Sequence, residues 1–138
     1  MTALREADAH DGPALIIAYS HCIAHGYALQ NGLEQQKLAV DTGYWPLLRF
    51  DPKLAEKGEN PMKLDSPAPK TPLAKFTGNE TRFRILENIA PDRAKVLMDR
   101  AQAQLTARFA NYERLAAPFA PKPAAGESSP NIPNNPNA

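Results

Sequence analysis

The residue types with the clearest capacity for chemistry sit within five positions of each other, His21, Cys22 and His25, and Cys22 is the only cysteine in 138 residues. A lone thiol next to imidazoles admits several chemistries. Zinc accepts both ligand types, but His21, Cys22 and His25 lack a fourth ligand at any standard spacing. A catalytic thiolate with His25 as its base needs a group to orient the imidazole, and Asp11 and Asp41 are the only acids that suggest themselves. A four-iron cluster takes four thiolates whose spacing need not be local, so Cys22 can supply one while three come from elsewhere. Set against all of these, an inert buried thiol is the commoner state of a free cysteine.

The element that delivers Cys22 is the apolar run at residues 14–19, Ala-Leu-Ile-Ile-Ala-Tyr. It lacks the alternation of a half-exposed strand and reads as a strand covered on both faces, as in a parallel sheet. Ligand-binding loops in open α/β sheets lie at the carboxyl ends of such strands. Parallel strands need partners joined by helical crossovers, and the sequence offers no convincing second strand. The chain therefore reads as a piece of something larger.

Around that run the pattern is helical. Residues 3–9 predict a short helix closed by the Asp11-Gly12-Pro13 turn. Residues 29–41 predict another, with Leu29, Leu33, Ala39 and Val40 as its apolar positions and Gly43 at its end. Residues 44–52 hold Tyr44, Trp45 and Phe50 between prolines, which restricts any strand there to an edge. Those rings are expected to be core or interface anchors. Residues 53–72 read as an irregular wrap, unusual inside an independent domain. Phe83, Leu86 and Ile89 then mark one helix face. Pro91 opens a longer helix with Asp92 in its first turn, whose stripe runs through Leu97, Ala101, Leu105, Phe109, Tyr112 and Ala116. Arg93, Lys95, Arg100, Arg108 and Arg114 lie off that stripe and are expected in solvent. In an isolated chain the stripe is expected to pack on very little.

Composition narrows the function classes. Sixteen basic and fifteen acidic residues leave a formal charge of +1, without the basic excess that nucleic-acid binding usually shows. No segment approaches the roughly 20 apolar residues of a membrane span, and the N-terminus has no signal-peptide pattern. A single cysteine precludes an internal disulfide and suits a reducing cytoplasm; the Asn79-Glu80-Thr81 sequon then has no glycosylation meaning. Of the 14 prolines, six lie between Pro46 and Pro72 and six between Pro118 and Pro136. The expected division is an N-terminal strand and helix unit (1–52), a proline-rich wrap (53–79), a helical segment (80–117) and a disordered tail (118–138).

One resemblance is specific. Residues 18–26 (Ala-Tyr-Ser-His-Cys-Ile-Ala-His-Gly), 32–40 (Gly-Leu-Glu-Gln-Gln-Lys-Leu-Ala-Val) and 43–47 (Gly-Tyr-Trp-Pro-Leu), followed by Arg49-Phe50-Asp51-Pro52, closely resemble the C-terminal end of the pyruvate:ferredoxin (flavodoxin) oxidoreductases. The resemblance continues more loosely through 72–80 toward Ala117 and covers about 115 of the 138 residues. It implies an α/β fragment: the end of a thiamine-diphosphate-binding fold, with one buried parallel-type strand, helices, the proline-rich wrap and a C-terminal helix.

It also implies a role for Cys22, as the distant fourth ligand of the 4Fe–4S cluster nearest the thiamine cofactor, with His21 and His25 in support at most. The family oxidatively decarboxylates pyruvate on thiamine diphosphate, releases acetyl-CoA and passes electrons to ferredoxin or flavodoxin; the intact enzyme is expected to be dimeric. The loop that would hold magnesium and the diphosphate is absent from this sequence, as are the paired cysteines for the other cluster ligands. Thr42 and Leu48 depart mildly from the motif. The expectation is thus a fragment that contributes one metal ligand, Cys22, binds no cofactor alone, and has no turnover by itself. The alternative is a small non-catalytic subunit or interaction module that docks on a separately encoded partner, without nucleic acid or membrane.

Overall fold

The computed structural model describes residues 1–119. It is helix-rich: α1 (Thr2–Ala9), α2 (Gly32–Asp41), α3 (Lys53–Glu56), α4 (Leu73–Thr77), α5 (Thr81–Ile89) and α6 (Pro91–Ala116), with two strands, β1 (Leu48–Phe50) and β2 (Met62–Leu64). The strands pair antiparallel with Leu48 opposite Leu64, Arg49 opposite Lys63 and Phe50 opposite Met62. No described helix is long and apolar enough to cross a membrane.

The sheet differs from the expected one. Residues 14–19 pair with no strand among the described residues, and Leu15, Ile16 and Ile17 are exposed at 84, 48 and 70%. A strand covered on both faces requires neighbours on both sides, and the described residues place none there. The single edge strand expected within 44–52 is present as β1. The supposedly irregular stretch 53–72 carries its partner β2 and the short α3. Asn60 supports the return of this ribbon: its Nδ2 donates to the carbonyls of Leu115 and Ala117 at the end of α6.

The core forms where α6 lies over α2, α4 and the segment between them. Ala39, Leu73, Phe76 and Leu105 are buried together, with Leu38, Tyr44, Trp45, Phe83, Met98 and Ala101 packed around them. The α6 stripe runs through Ala94, Met98, Ala101, Leu105 and Phe109, the spacing expected of one helical face. Leu97, expected on that stripe, lies at its margin and is 41% exposed. The stripe therefore has an internal partner, contrary to expectation. The small helix α4, which the sequence pattern did not reveal, supplies Leu73 and Phe76 to fill it. Pro91 opens α6 as expected.

Helix α2 also departs from its apolar pattern. It begins as a 3₁₀ turn at Leu29–Asn31, and Leu29 and Leu33 face outward. Its buried residues are Gly32, Gln35 and Ala39. Gly43 ends it at φ 73°, its N–H donating to the Val40 carbonyl. A Cβ there would stand 2.6 Å from Pro69 Cγ and 3.0 Å from Leu105 Cδ2, so glycine is required for both conformation and space. Arg108, expected in solvent, donates from Nη2 to the Gly43 and Tyr44 carbonyls and so ties α6 to the end of α2.

Candidate functional site

Cys22 is extended, at φ −142° and ψ 144°, and leads into a 3₁₀ turn at Ile23–His25. Its carbonyl accepts from the His25 N–H at 3.0 Å, and the Ile23 carbonyl accepts from Gly26 N–H at 3.0 Å. Gly26 adopts φ 74°, the left-handed conformation that side chains disfavour. Its carbonyl then receives two donors from the start of α5, the Thr81 N–H at 3.0 Å and Thr81 Oγ1 at 2.7 Å. A Cβ on Gly26 would lie 2.6 Å from Thr81 Cβ. The loop is thus pinned at its downstream end to α5, while the Cys22 side chain is free and exposed. The inert buried thiol is not what this loop presents.

The two histidines do not converge with Cys22 into a metal set. The His21 ring lies against Gly32, at 3.2 Å from the position a Cβ would take there. His25 turns inward, its ring near those of Tyr19 and Tyr27, with centroids 6.3 and 6.5 Å away. Its Nδ1 is buried without a hydrogen-bond partner and lies 3.9 Å from Glu80 Oε1. Among the described residues no three His, Cys, Asp or Glu side chains are grouped to hold a metal ion. The zinc arrangement therefore does not form from these residues.

Glu80 is the residue that sequence reasoning missed. It is wholly buried and organises the floor beneath the loop. Its Oε1 accepts from Gln35 Nε2 at 2.9 Å and its Oε2 from Arg82 Nε at 2.5 Å. Gln35 Nε2 also donates to the Phe76 carbonyl, and Gln35 Oε1 accepts from Asn79. Arg82 lies over the Phe83 ring, 4.6 Å from its centroid, and its Nη2 reaches Tyr19 Oη at 3.4 Å. The acid beside His25 is thus Glu80, neither Asp11 nor Asp41; Asp41 pairs with Lys37 on its own helix.

This floor shapes the local electrostatics. Burial first, then the Glu80 carboxylate, then Cys22 push the Tyr27 phenol above its ordinary value, with Arg82 opposing. Tyr19 is raised by burial and then by Glu80. Tyr27 Oη is also buried without a partner. A polar groove lined by Gly26, Tyr27, Asn31, Gln35, Asn79 and Arg84 opens beside the loop. What the arrangement offers is one accessible thiol on a fixed turn, backed by a buried polar cluster. One thiolate can fill a single position of a metal cluster.

The chain is homologous to one segment of the pyruvate-flavodoxin and pyruvate:ferredoxin oxidoreductases. It is 49% identical over 117 residues to the pyruvate-flavodoxin oxidoreductase of Rhodospirillum rubrum, a match covering 84% of this chain and 10% of that protein. The protein of the same description from Trichormus variabilis is 47% identical over 117 residues, covering 85% of this chain and 10% of the relative. The pyruvate:ferredoxin oxidoreductase of Moorella thermoacetica is 42% identical over 116 residues, covering 84% of this chain and 10% of the relative. The chain thus spans about a tenth of the length of the curated relatives it matches. No family model matches it.

Proposed function

We propose that this chain is the C-terminal segment of a pyruvate:flavodoxin or pyruvate:ferredoxin oxidoreductase, and that it donates Cys22 as one thiolate ligand to a 4Fe–4S cluster. The observation that carries the reading is the exposed thiol on a turn pinned to α5, within a segment 49% identical to such an enzyme. When bound, the cluster would supply one-electron transfer between the thiamine-bound substrate and an external flavodoxin or ferredoxin. The part played by this chain is positional. Gly26 and Thr81 hold the turn, the His21 ring rests on Gly32, and the Glu80 cluster provides a rigid floor, leaving Cys22 to face outward.

The other three cluster thiolates, the thiamine diphosphate loop and its magnesium ligands belong on this reading to the remainder of the enzyme, with which residues 1–52 complete a thiamine-binding fold. The remainder is therefore the partner, in a dimeric enzyme, and a reducing cytoplasm would keep the accessible Cys22 thiol available for ligation. Alone, the chain has no turnover. Anaerobic assay of pyruvate-dependent viologen reduction tests this: the chain by itself should give no rate, and addition of the complementary part of the enzyme should restore one. A rate from the isolated chain would overturn the proposal.

A further inference from the structure

The Cys22 turn rests on a buried charge that the ligand role of Cys22 does not by itself require. Glu80 is wholly buried, and the residue after it, Thr81, bonds the Gly26 carbonyl through both its N–H and its hydroxyl. The carboxylate is therefore held at a fixed place beneath the turn. Its Oε1 stands 3.9 Å from Nδ1 of His25, the residue whose N–H donates to the Cys22 carbonyl at 3.0 Å. A buried ion pair is weak evidence for a stabilising role, because desolvation offsets much of the attraction. Stability alone is thus a poor account of why a charge stands here.

The pair that Glu80 makes with Arg82 is lopsided. The Glu80 side chain is 0% exposed and that of Arg82 is 31% exposed, so water screens the cation more than the anion. Arg82 also leads away from the turn, over the Phe83 ring at 4.6 Å and toward Tyr19 Oη at 3.4 Å. The field left on the turn is that of the anion. Tyr27, beyond the Gly26 reversal, registers it. Burial raises its phenol most, the Glu80 carboxylate comes next, Cys22 follows, and the opposing Arg82 is weaker than any of these. Glu80 and Cys22 thus act on one common group.

We propose that the Glu80 carboxylate lowers the reduction potential of the cluster that Cys22 ligates, by fixing a negative charge beneath the turn. This rests on the reading of Cys22 as a ligand and adds what the chain does to the cluster beyond holding it. Reduction brings one electron, and so one negative charge, onto the cluster. A nearby anion in a weakly screening surrounding disfavours that step. The reduced cluster is then a stronger one-electron donor to flavodoxin or ferredoxin. Glu80 touches neither iron nor substrate in this role and acts through the field at the turn.

Potentiometric titration followed by electron paramagnetic resonance tests this on the complex of the chain with the complementary part of the enzyme. The signal to follow is the one that Cys22→Ser removes or displaces. In Glu80→Gln its reduced-to-oxidised ratio at the parent's midpoint should rise about tenfold, which is 59 mV for a one-electron couple. Glu80→Asp keeps the charge and should stay near the parent. Glu34 is exposed in the first turn of α2 and lines the same groove as Tyr27; Glu34→Gln removes an equal but screened charge and should shift the ratio by less than about twofold. Arg82→Gln removes the opposing cation and should lower the ratio about threefold, and it carries the test if the Glu80→Gln complex holds no cluster. An unmoved midpoint in Glu80→Gln, an equal shift in Glu80→Asp or Glu34→Gln, or an unchanged or raised ratio in Arg82→Gln would overturn the role of Glu80 and leave Cys22 as a ligand. If Cys22→Ser alters no signal, the ligand reading itself falls, and this inference with it.

Discussion

At the scale of single residues, the loop is held by one position that admits no ordinary side chain, Gly26, and by one buried carboxylate, Glu80. Gly26 combines a left-handed backbone with contact against Thr81. Gly26→Ala should therefore cost about 1–3 kcal/mol of stability in urea unfolding, and an unchanged midpoint would show that the turn can relax. Glu80 is the second lever. Glu80→Ala would strand a Gln35 donor and the Arg82 guanidinium that now meet its carboxylate, at an expected loss of about 1–3 kcal/mol. Glu80→Gln, which keeps an acceptor, should lose less. If the alanine and glutamine variants unfold alike, the hydrogen bonds beneath the loop do not set its stability. The importance of Glu80 was illegible in sequence because its contacts lie 45 positions away in Gln35 and 55 away in His25. The Cys22 loop was legible because its turn is local, with a glycine at the point where the chain reverses.

At the scale of elements, α6 organises the fold. Phe109 is 4% exposed, whereas Leu97 is 41% exposed. Phe109→Ala should cost about 3–5 kcal/mol as a cavity opens, and Leu97→Ala far less; equal losses in denaturant unfolding would contradict the assigned face. The β1–β2 ribbon carries a pH-sensitive tie. Arg49 donates to both Asp65 oxygens at 2.7 Å and also pairs with Glu6. The hydrogen bond from Arg49 holds the Asp65 carboxyl below its ordinary value of 3.8, against the opposing effect of burial. A depressed carboxylate contributes stability that is fully present above the unfolded value and lost as pH falls through the folded one. Stability should therefore decline as pH drops below about 4, and Asp65→Asn should flatten part of that decline. The same slope in the variant would assign the acid sensitivity elsewhere. Helix ends and caps in this region follow local rules, which is why Gly43 and Pro91 were readable in advance. The ribbon partner β2 and helix α4 were not, because each is three to five residues long and depends on tertiary contacts for its stability.

At the scale of the whole molecule, the sequence pattern of residues 14–19 and their structure disagree in an informative way. The pattern demands burial on two faces, and the described chain leaves those residues exposed. Local sequence carries the demand for a sheet, but a parallel sheet is a nonlocal object, and the described residues form only the antiparallel pair β1–β2. The expected tail beyond Ala117 falls mostly at residues 120–138, outside the described residues. On the proposed function, the solitary thiol has the same logic as the unpaired segment: each would be one component of an assembly whose other parts lie elsewhere.

That common logic is tested most directly by the iron content and electron paramagnetic resonance of the reduced complex between this chain and the complementary part of the enzyme, with Cys22 intact and as Cys22→Ser. The account predicts that the intact chain raises the complex by one 4Fe–4S cluster, about four irons per protomer, with its own signal. In the serine variant that signal should be lost or displaced while the chain remains bound. An unaltered spectrum and iron count in a complex carrying Cys22→Ser would contradict the assignment of Cys22 as a cluster ligand.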